Sequence, residues 1–193
     1  HHQKEIDWNK VKKWKSKEIR FVYVKATEGA TYQDKKYSFN FYQAKKQGFP
    51  VGSYHYFRTT SSVEDQFKNF KKLVKKNEQD LLPLIDVEER NEWDKKKFQK
   101  NLKKFLALIE EHYGVKPMLY SVNSFYNRNL AGKFDGYKMM IGRYGKNSPF
   151  MKTGQDWTIW QFSEKGKIDG VAKSVDVNRL NEQFSLKDLM IKK

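Results

Sequence analysis

Apolar positions along this chain fall into short runs that switch between a period of two and a period of about 3.6. Residues 19–26 (IRFVYVKA) are β-branched and aromatic and predict a strand. Residues 37–47 carry Phe41 and Ala44 on a helical period and stop at Gly48. Pro50 opens a second strand, 51–57. Residues 61–64 read as a helix N-terminus, with Phe67, Phe70, Leu73 and Val74 as its buried stripe. Residues 81–88 (LLPLIDVE) form an apolar run that ends in two acids, as a buried parallel strand does when it reaches solvent. The longest predicted helix covers 94–113, with Phe98, Leu102, Phe105, Leu106 and Ile109 on one face and Gly114 as its stop. A short strand at 116–121, a helical stretch at 123–130 and strands at 137–144, 157–162 and 173–180 follow. Ahead of all these, 1–7 reads as a loop and 8–15 as a short helix presenting Trp8 and Val11. Strand and helix alternate over the first two thirds, and strand with loop fills the rest. That is the α/β pattern of a barrel whose final helices are missing or vestigial. No repeat or linker interrupts it, so 1–193 is read as one domain.

Composition narrows the partners. Lys and Arg number 39 against 23 Asp and Glu, a net charge of +16, which favours a polyanionic partner or surface: nucleic acid, anionic lipid or cell-wall polymer. A lysine-rich genome would produce the same excess. There is no cysteine, which rules out a disulfide framework and any thiolate nucleophile or metal ligand. No run approaches the roughly 18 apolar residues of a membrane span. The chain opens at His1 with neither a methionine nor a signal peptide. No phosphate loop, dinucleotide turn or serine nucleophile elbow is present.

Candidate chemistry gathers at strand ends. In a strand, Asp86 and Glu88 share a face with Val87 opposite, their Cα atoms roughly 6.5 Å apart. At the C-terminal end of a barrel strand they suit a catalytic pair, although a strand that merely ends in water carries the same letters. Lys25-Ala26-Thr27-Glu28, Tyr54-His55-Tyr56, Tyr120-Ser121, Arg143-Tyr144, Gln161 and Asp176 end other strands, and a parallel barrel brings such ends together. Acids among many aromatics suit a carbohydrate, since ring faces stack on sugars and carboxyls move protons. His55 reads either as a base or ligand or as a hydrogen-bonded structural residue. His1 and His2 lack a spaced partner for a metal. Glu28 and Glu89 read as solvated loop acids.

Taken in order, the segments resemble the family 25 glycoside hydrolases, the Chalaropsis-type lysozymes. The matching pieces are 2–8 (HQKEIDW), 21–29 (FVYVKATEG), 51–58 (VGSYHYFR), 84–88 (LIDVE), 117–121 (PMLYS), 157–162 (WTIWQF) and 175–180 (VDVNRL). The resemblance implies a modified TIM-like barrel of eight strands and about five helices, and cleavage of the β-1,4 bond between N-acetylmuramic acid and N-acetylglucosamine in peptidoglycan. It implies Glu88 as general acid, with Asp86 orienting the substrate's acetamido group or stabilising positive charge at the anomeric carbon. Asp176 is a further acid of the site. Tyr54, His55, Tyr120, Arg143 and Gln161 match its substrate-binding walls. No cofactor or metal is implied. The partner is the peptidoglycan glycan, not nucleic acid, and the protein is a monomer, secreted or in the cell envelope. One departure stands out: the family's first strand, ending in an aspartate and a serine, would precede His1. The natural protein is therefore expected to carry roughly ten or more residues ahead of His1, a strand and its lead-in.

Two other functions fit parts of the sequence. The same barrel with an incomplete acid cluster would hold peptidoglycan without turnover. A nucleic-acid binder rests on charge alone and lacks a recognition motif.

Overall fold

The computed structural model describes residues 6–192, and one curled eight-stranded mixed sheet carries them. Most of the 1–7 loop, with His1 and His2, lies outside the described residues. After a small hairpin, β1 (Lys13–Trp14) and β2 (Lys17–Glu18), come β3 (Val22–Glu28), β4 (Tyr32–Gln33), α1 (Tyr37–Lys46), β5 (Val51–Tyr56), α2 (Val63–Leu73), β6 (Leu84–Asp86), α3 (Lys95–Tyr113) and β7 (Met118–Val122). A single turn, α4 (Asn123–Phe125), runs into a π-helical turn at Tyr126–Leu130. β8 (Met139–Gly142), β9 (Ile159–Gly166) and β10 (Val175–Leu180) complete the sheet. Its order is β10-β9-β8-β7-β6-β5-β3-β4. The strands from β3 to β9 are parallel, and β10 and β4 are antiparallel at the two edges.

Alternation divides the core into two layers. Ile85, Val87, Leu119 and Ile141 point outward beneath the helices, while Leu84, Met118, Tyr120, Met140 and Ile159 fill the inside of the curl. The predicted face of α3 is the one it buries: Phe98, Leu102, Phe105, Leu106 and Ile109 are all fully enclosed. Each such side chain contributes roughly 1.5–3 kcal/mol. Phe105 packs on His55 and Phe57 at ring distances of 5.1 and 5.4 Å, so Phe105→Ala would cost about 3–5 kcal/mol. The ends of α3 are fixed locally. Asp94 accepts from the Lys97 amide at 2.9 Å, and Gly114 takes the left-handed conformation, φ 73°, that ends the helix. Ser62 caps α2 by accepting from the Asp65 amide.

Three expectations are corrected. Residues 8–15 do not form a helix: Lys15 adopts a positive φ of 54° and reverses the chain into the β1–β2 hairpin, although Trp8 and Val11 are buried as expected. The described helices number four, not five, and α4 is one turn. The barrel is not closed among the described residues. From Val22 to Lys25, β3 pairs only with β5, and β10 pairs only with β9. The two edges nevertheless line one cavity, which is how far the sheet has curled.

Candidate active site

Strand register builds the site from a single row. Glu28 lies beside Tyr56, Tyr56 beside Asp86, Asp86 beside Tyr120, and Tyr120 beside Met140, across β3, β5, β6, β7 and β8. The row faces into a cavity of about 820 Å³, within the range of ligand sites. Tyr54, Asp86, Glu88, Tyr120, Tyr144, Gln161, Asp176 and Asn178 line it. Glu88 is two residues above Asp86 on the same face, where alternation puts it.

The floor is held by a short bond: Tyr120 Oη donates to Gln161 Oε1 at 2.6 Å. Gly142 makes room for it, because a Cβ there would run into the Tyr120 hydroxyl. Tyr144 Oη also reaches Gln161 Oε1, at 3.4 Å. On the β10 side the ladder slips twice, between Val175 and Val177 and between Val177 and Asn178. Such irregularities re-aim side chains near sites. Here Asp176 and Asn178 line the cavity while Val177 is buried.

Electrostatics set the carboxyls apart from ordinary surface acids. Burial, the Glu88 charge and a hydrogen bond with Glu88 hold the Asp86 carboxyl well above its usual range. Burial also raises Glu88, joined by the charges of Asp176 and Glu89, while the hydrogen bond from Asp86 and the charge of Arg58 pull it down. The pair therefore keeps a proton at a pH where an isolated carboxyl has lost it. Asp86 Oδ1 is buried and accepts no hydrogen bond within the described protein, and the same is true of Asn178 Oδ1. Asp176 stands at the open rim, where partial burial and then the Glu164 charge raise it. Burial and the Asp86 charge push the Tyr54 hydroxyl up, so it stays protonated as a donor.

Of the residues singled out from sequence, Asp86, Glu88, Asp176, Tyr54, Tyr120 and Gln161 come together. His55 does not. It sits on the outward face of β5, fully buried against Phe70 and Phe105, with Nδ1 2.7 Å from Thr27 Oγ1 and Nε2 3.1 Å from Gln66 Oε1. Its neighbours Tyr54 and Tyr56 take the inward face, and alternation sends His55 the other way. Arg143 is spent on the loop after β8, donating to the Ser148 carbonyl at 2.8 Å, and its neighbour Tyr144 lines the cavity instead.

Lys25, Glu28 and Arg58 also line the cavity; sequence reasoning placed the first two at a converging strand end but gave none of the three a role in the site. Glu28 is no solvated acid: Lys25 Nζ lies 2.6 Å from Oε2, and Arg58 donates from Nε and Nη2 to Oε1 at 2.9 and 2.6 Å. Period two was a signal for Lys25 alone, placing it on the inward side of β3 opposite Ala26; an irregularity between Lys25 and Thr27 then brings Glu28 to that same face, which alternation would not.

Comparison with known proteins agrees with this geometry. The model of the glycosyl hydrolases family 25 matches residues 1–171. The uncharacterized protein YegX of Escherichia coli O6:H1 is 35% identical over 181 residues, covering 93% of this chain and 66% of YegX. The autolytic lysozyme of Clostridium acetobutylicum is 30% identical over 183 residues, 93% of this chain and 53% of that protein. The chain thus spans between about half and two thirds of these relatives. The crystal structure of a bacterial lysozyme from Streptomyces coelicolor superposes with a TM-score of 0.83 at 27% identity, covering 98% of this chain and 91% of that one.

Proposed function

Because the chain belongs to the family 25 glycosyl hydrolases, we propose that it is a muramidase, hydrolysing the β-1,4 bond between N-acetylmuramic acid and N-acetylglucosamine in peptidoglycan. The observation that carries this reading is a proton-sharing carboxyl pair in a sugar-sized cavity, with one buried oxygen, Asp86 Oδ1, left without a donor. A substrate acetamido N–H is the donor that oxygen lacks.

Glu88, nearer the opening, gives its proton to the glycosidic oxygen as the C1–O bond breaks, and the bonding electrons leave with that oxygen. Asp86 holds the acetamido group and offsets the positive charge developing at C1. Water then adds to C1 and its proton returns to Glu88. Asp176 adds negative charge on the opposite wall. Tyr54, Tyr120 and Gln161 offer sugar hydroxyls a wall of donors and acceptors. Loss of the Tyr120–Gln161 bond would loosen that wall. The enzyme works as a monomer where its substrate lies, secreted or in the cell envelope. Among the described residues no helix is long and apolar enough to cross a membrane.

The seam between β3 and β10 takes one further strand in the working protein, which closes the barrel. Among the described residues, Val22–Lys25 of β3 pairs with no strand but β5 and β10 with none but β9, and open edges invite pairing. Slow hydrogen exchange at the β3 and β10 amides of the active protein is the expected sign.

The direct test of function is mass analysis of fragments released from purified peptidoglycan. New reducing ends should be N-acetylmuramic acid. Ends in N-acetylglucosamine, or no fragments at all, would overturn the reading, and binding without fragments would identify a glycan-holding barrel.

A further inference from the structure

Glu88 lies beyond the strand that carries it. The β6 ladder stops at Asp86, and the last backbone bond on that path is Val87 N to Tyr120 O at 2.9 Å. Something else must hold the Glu88 carboxyl to the fraction of an ångström that proton transfer requires.

Arg58 reaches across this gap. Its Nε and Nη2 grip Glu28 on β3, its Nη1 pairs with Glu89, and its guanidinium lies 4.4 Å from the centre of the Tyr56 ring. Glu89 is the residue after Glu88, so the pair pins the backbone beside the acid. The Arg58 backbone is itself clamped. Gln66 of α2 accepts from the Arg58 amide at 2.9 Å and donates to its carbonyl at 2.7 Å. Gln66 Oε1 also accepts from His55 Nε2, which makes Nδ1 the acceptor for the Thr27 hydroxyl. A continuous set of bonds therefore runs from the core of β3 and β5, through α2, to the mouth.

We infer that Arg58 is the positioning residue for Glu88, tying Glu89 to Glu28 so that the acid is held above the cavity on a segment with no strand partner. Glu28 is the fixed post of this arrangement, because the almost fully buried Lys25 neutralises its other oxygen. Arg58 itself does not touch the reacting atoms.

The inference rests on the muramidase reading for its kinetic assay, and three variants separate it from a merely structural role. Arg58→Lys keeps the charge but loses the fork. Arg58→Met loses both. Glu89→Gln loses the tether and leaves Arg58 on Glu28. All three should lower kcat by about 10- to 100-fold, the scale of a small misplacement, with KM little changed. The alkaline limb of the rate profile should rise in Arg58→Met, where a cation near Glu88 is gone. It should fall in Glu89→Gln, where an anion is gone, and stay in place in Arg58→Lys. Folded variants with wild-type kcat, or losses confined to KM, would overturn the inference. If Arg58→Met does not fold, Arg58→Lys and Glu89→Gln decide. Carboxyl NMR titration of Glu88 gives an activity-free readout. A Glu88 signal that titrates alike in all forms removes the coupling to Arg58, even if the wild type proves to cleave no glycan.

Discussion

Asp86, the last residue of β6, and Glu88, two residues further on, share a hydrogen bond in the cavity, and burial raises both carboxyls. The pair behaves as a unit that gives up its protons in two coupled steps. Glu88 is raised chiefly by burial, while Asp86 acts on it through the bond and pulls it down. The buried pair holds a proton in common, and in the proposed mechanism Glu88 delivers it to the glycosidic oxygen.

Replacing Glu88 by Gln keeps the shape and removes the deliverable proton. Glu88→Gln should fold normally and lose at least about a hundredfold in kcat, as for a positioned acid. Turnover near wild type, measured as reducing ends released per minute, would take the acid role away from Glu88.

Asp86→Asn should trade stability for activity. A buried carboxyl with a raised pKa destabilises the fold once the pH exceeds the value in the unfolded chain, about 3.9. The amide carries no such penalty. The variant should therefore melt higher at pH 7, by about 2–4 °C for each kcal/mol recovered. The difference should shrink as the pH falls toward 4. Binding should survive while kcat drops, because the developing positive charge loses its nearest anion. A change in KM alone would make Asp86 a binding residue.

The sequence made the acid pair legible because two residues apart on a strand is a fixed geometry, and 84–88 obeyed it. It did the same for α3, where cap, stripe and stop agree. Residues 8–15 misled because Trp8 and Val11 mimic a helical face, while the left-handed Lys15 leaves no trace in a lysine-rich run. His55 misled by company: two tyrosines that do face the cavity flank it, and the strand's own alternation excludes it. The role of Glu28 depends on Arg58, which is 30 residues away, and a long-range ion pair has no local signature.

The excess positive charge should serve encounter more than chemistry. Exposed lysines act over about a Debye length, roughly 8 Å at physiological salt, and are screened beyond it. Lys25, Lys36 and Arg58 stand among the acids of the cavity wall, so most of the 39 Lys and Arg lie outside the reacting region. Raising salt should slow clearing of anionic cell walls and spare hydrolysis of a short neutral oligosaccharide. Equal salt sensitivity on both substrates would contradict a steering role.

The last expectation concerns acid and His55. Full burial lowers its pKa from 6.5 to about 4, with the Gln66 bond opposing only in part. The folded protein thus prefers the neutral ring, whereas the unfolded chain takes up a proton below about 6.5. The resulting stability is complete above that pH and is lost as the pH falls toward 4, by about 3 kcal/mol in all. Asp86 and Glu88 act in the opposite direction over the same window, since acid relieves their buried charge. The surface acids with lowered values, such as Asp65 and Asp94, contribute only further down. The measurement is urea unfolding at pH 7 and pH 4.5 in the Asp86→Asn, Glu88→Gln double variant, where the opposing contribution of the pair is gone and only that of the rim residue Asp176 remains. Adding His55→Gln should lower stability at pH 7 and flatten the fall between the two pH values. An undiminished fall after His55 is removed would mean that another group carries the acid sensitivity.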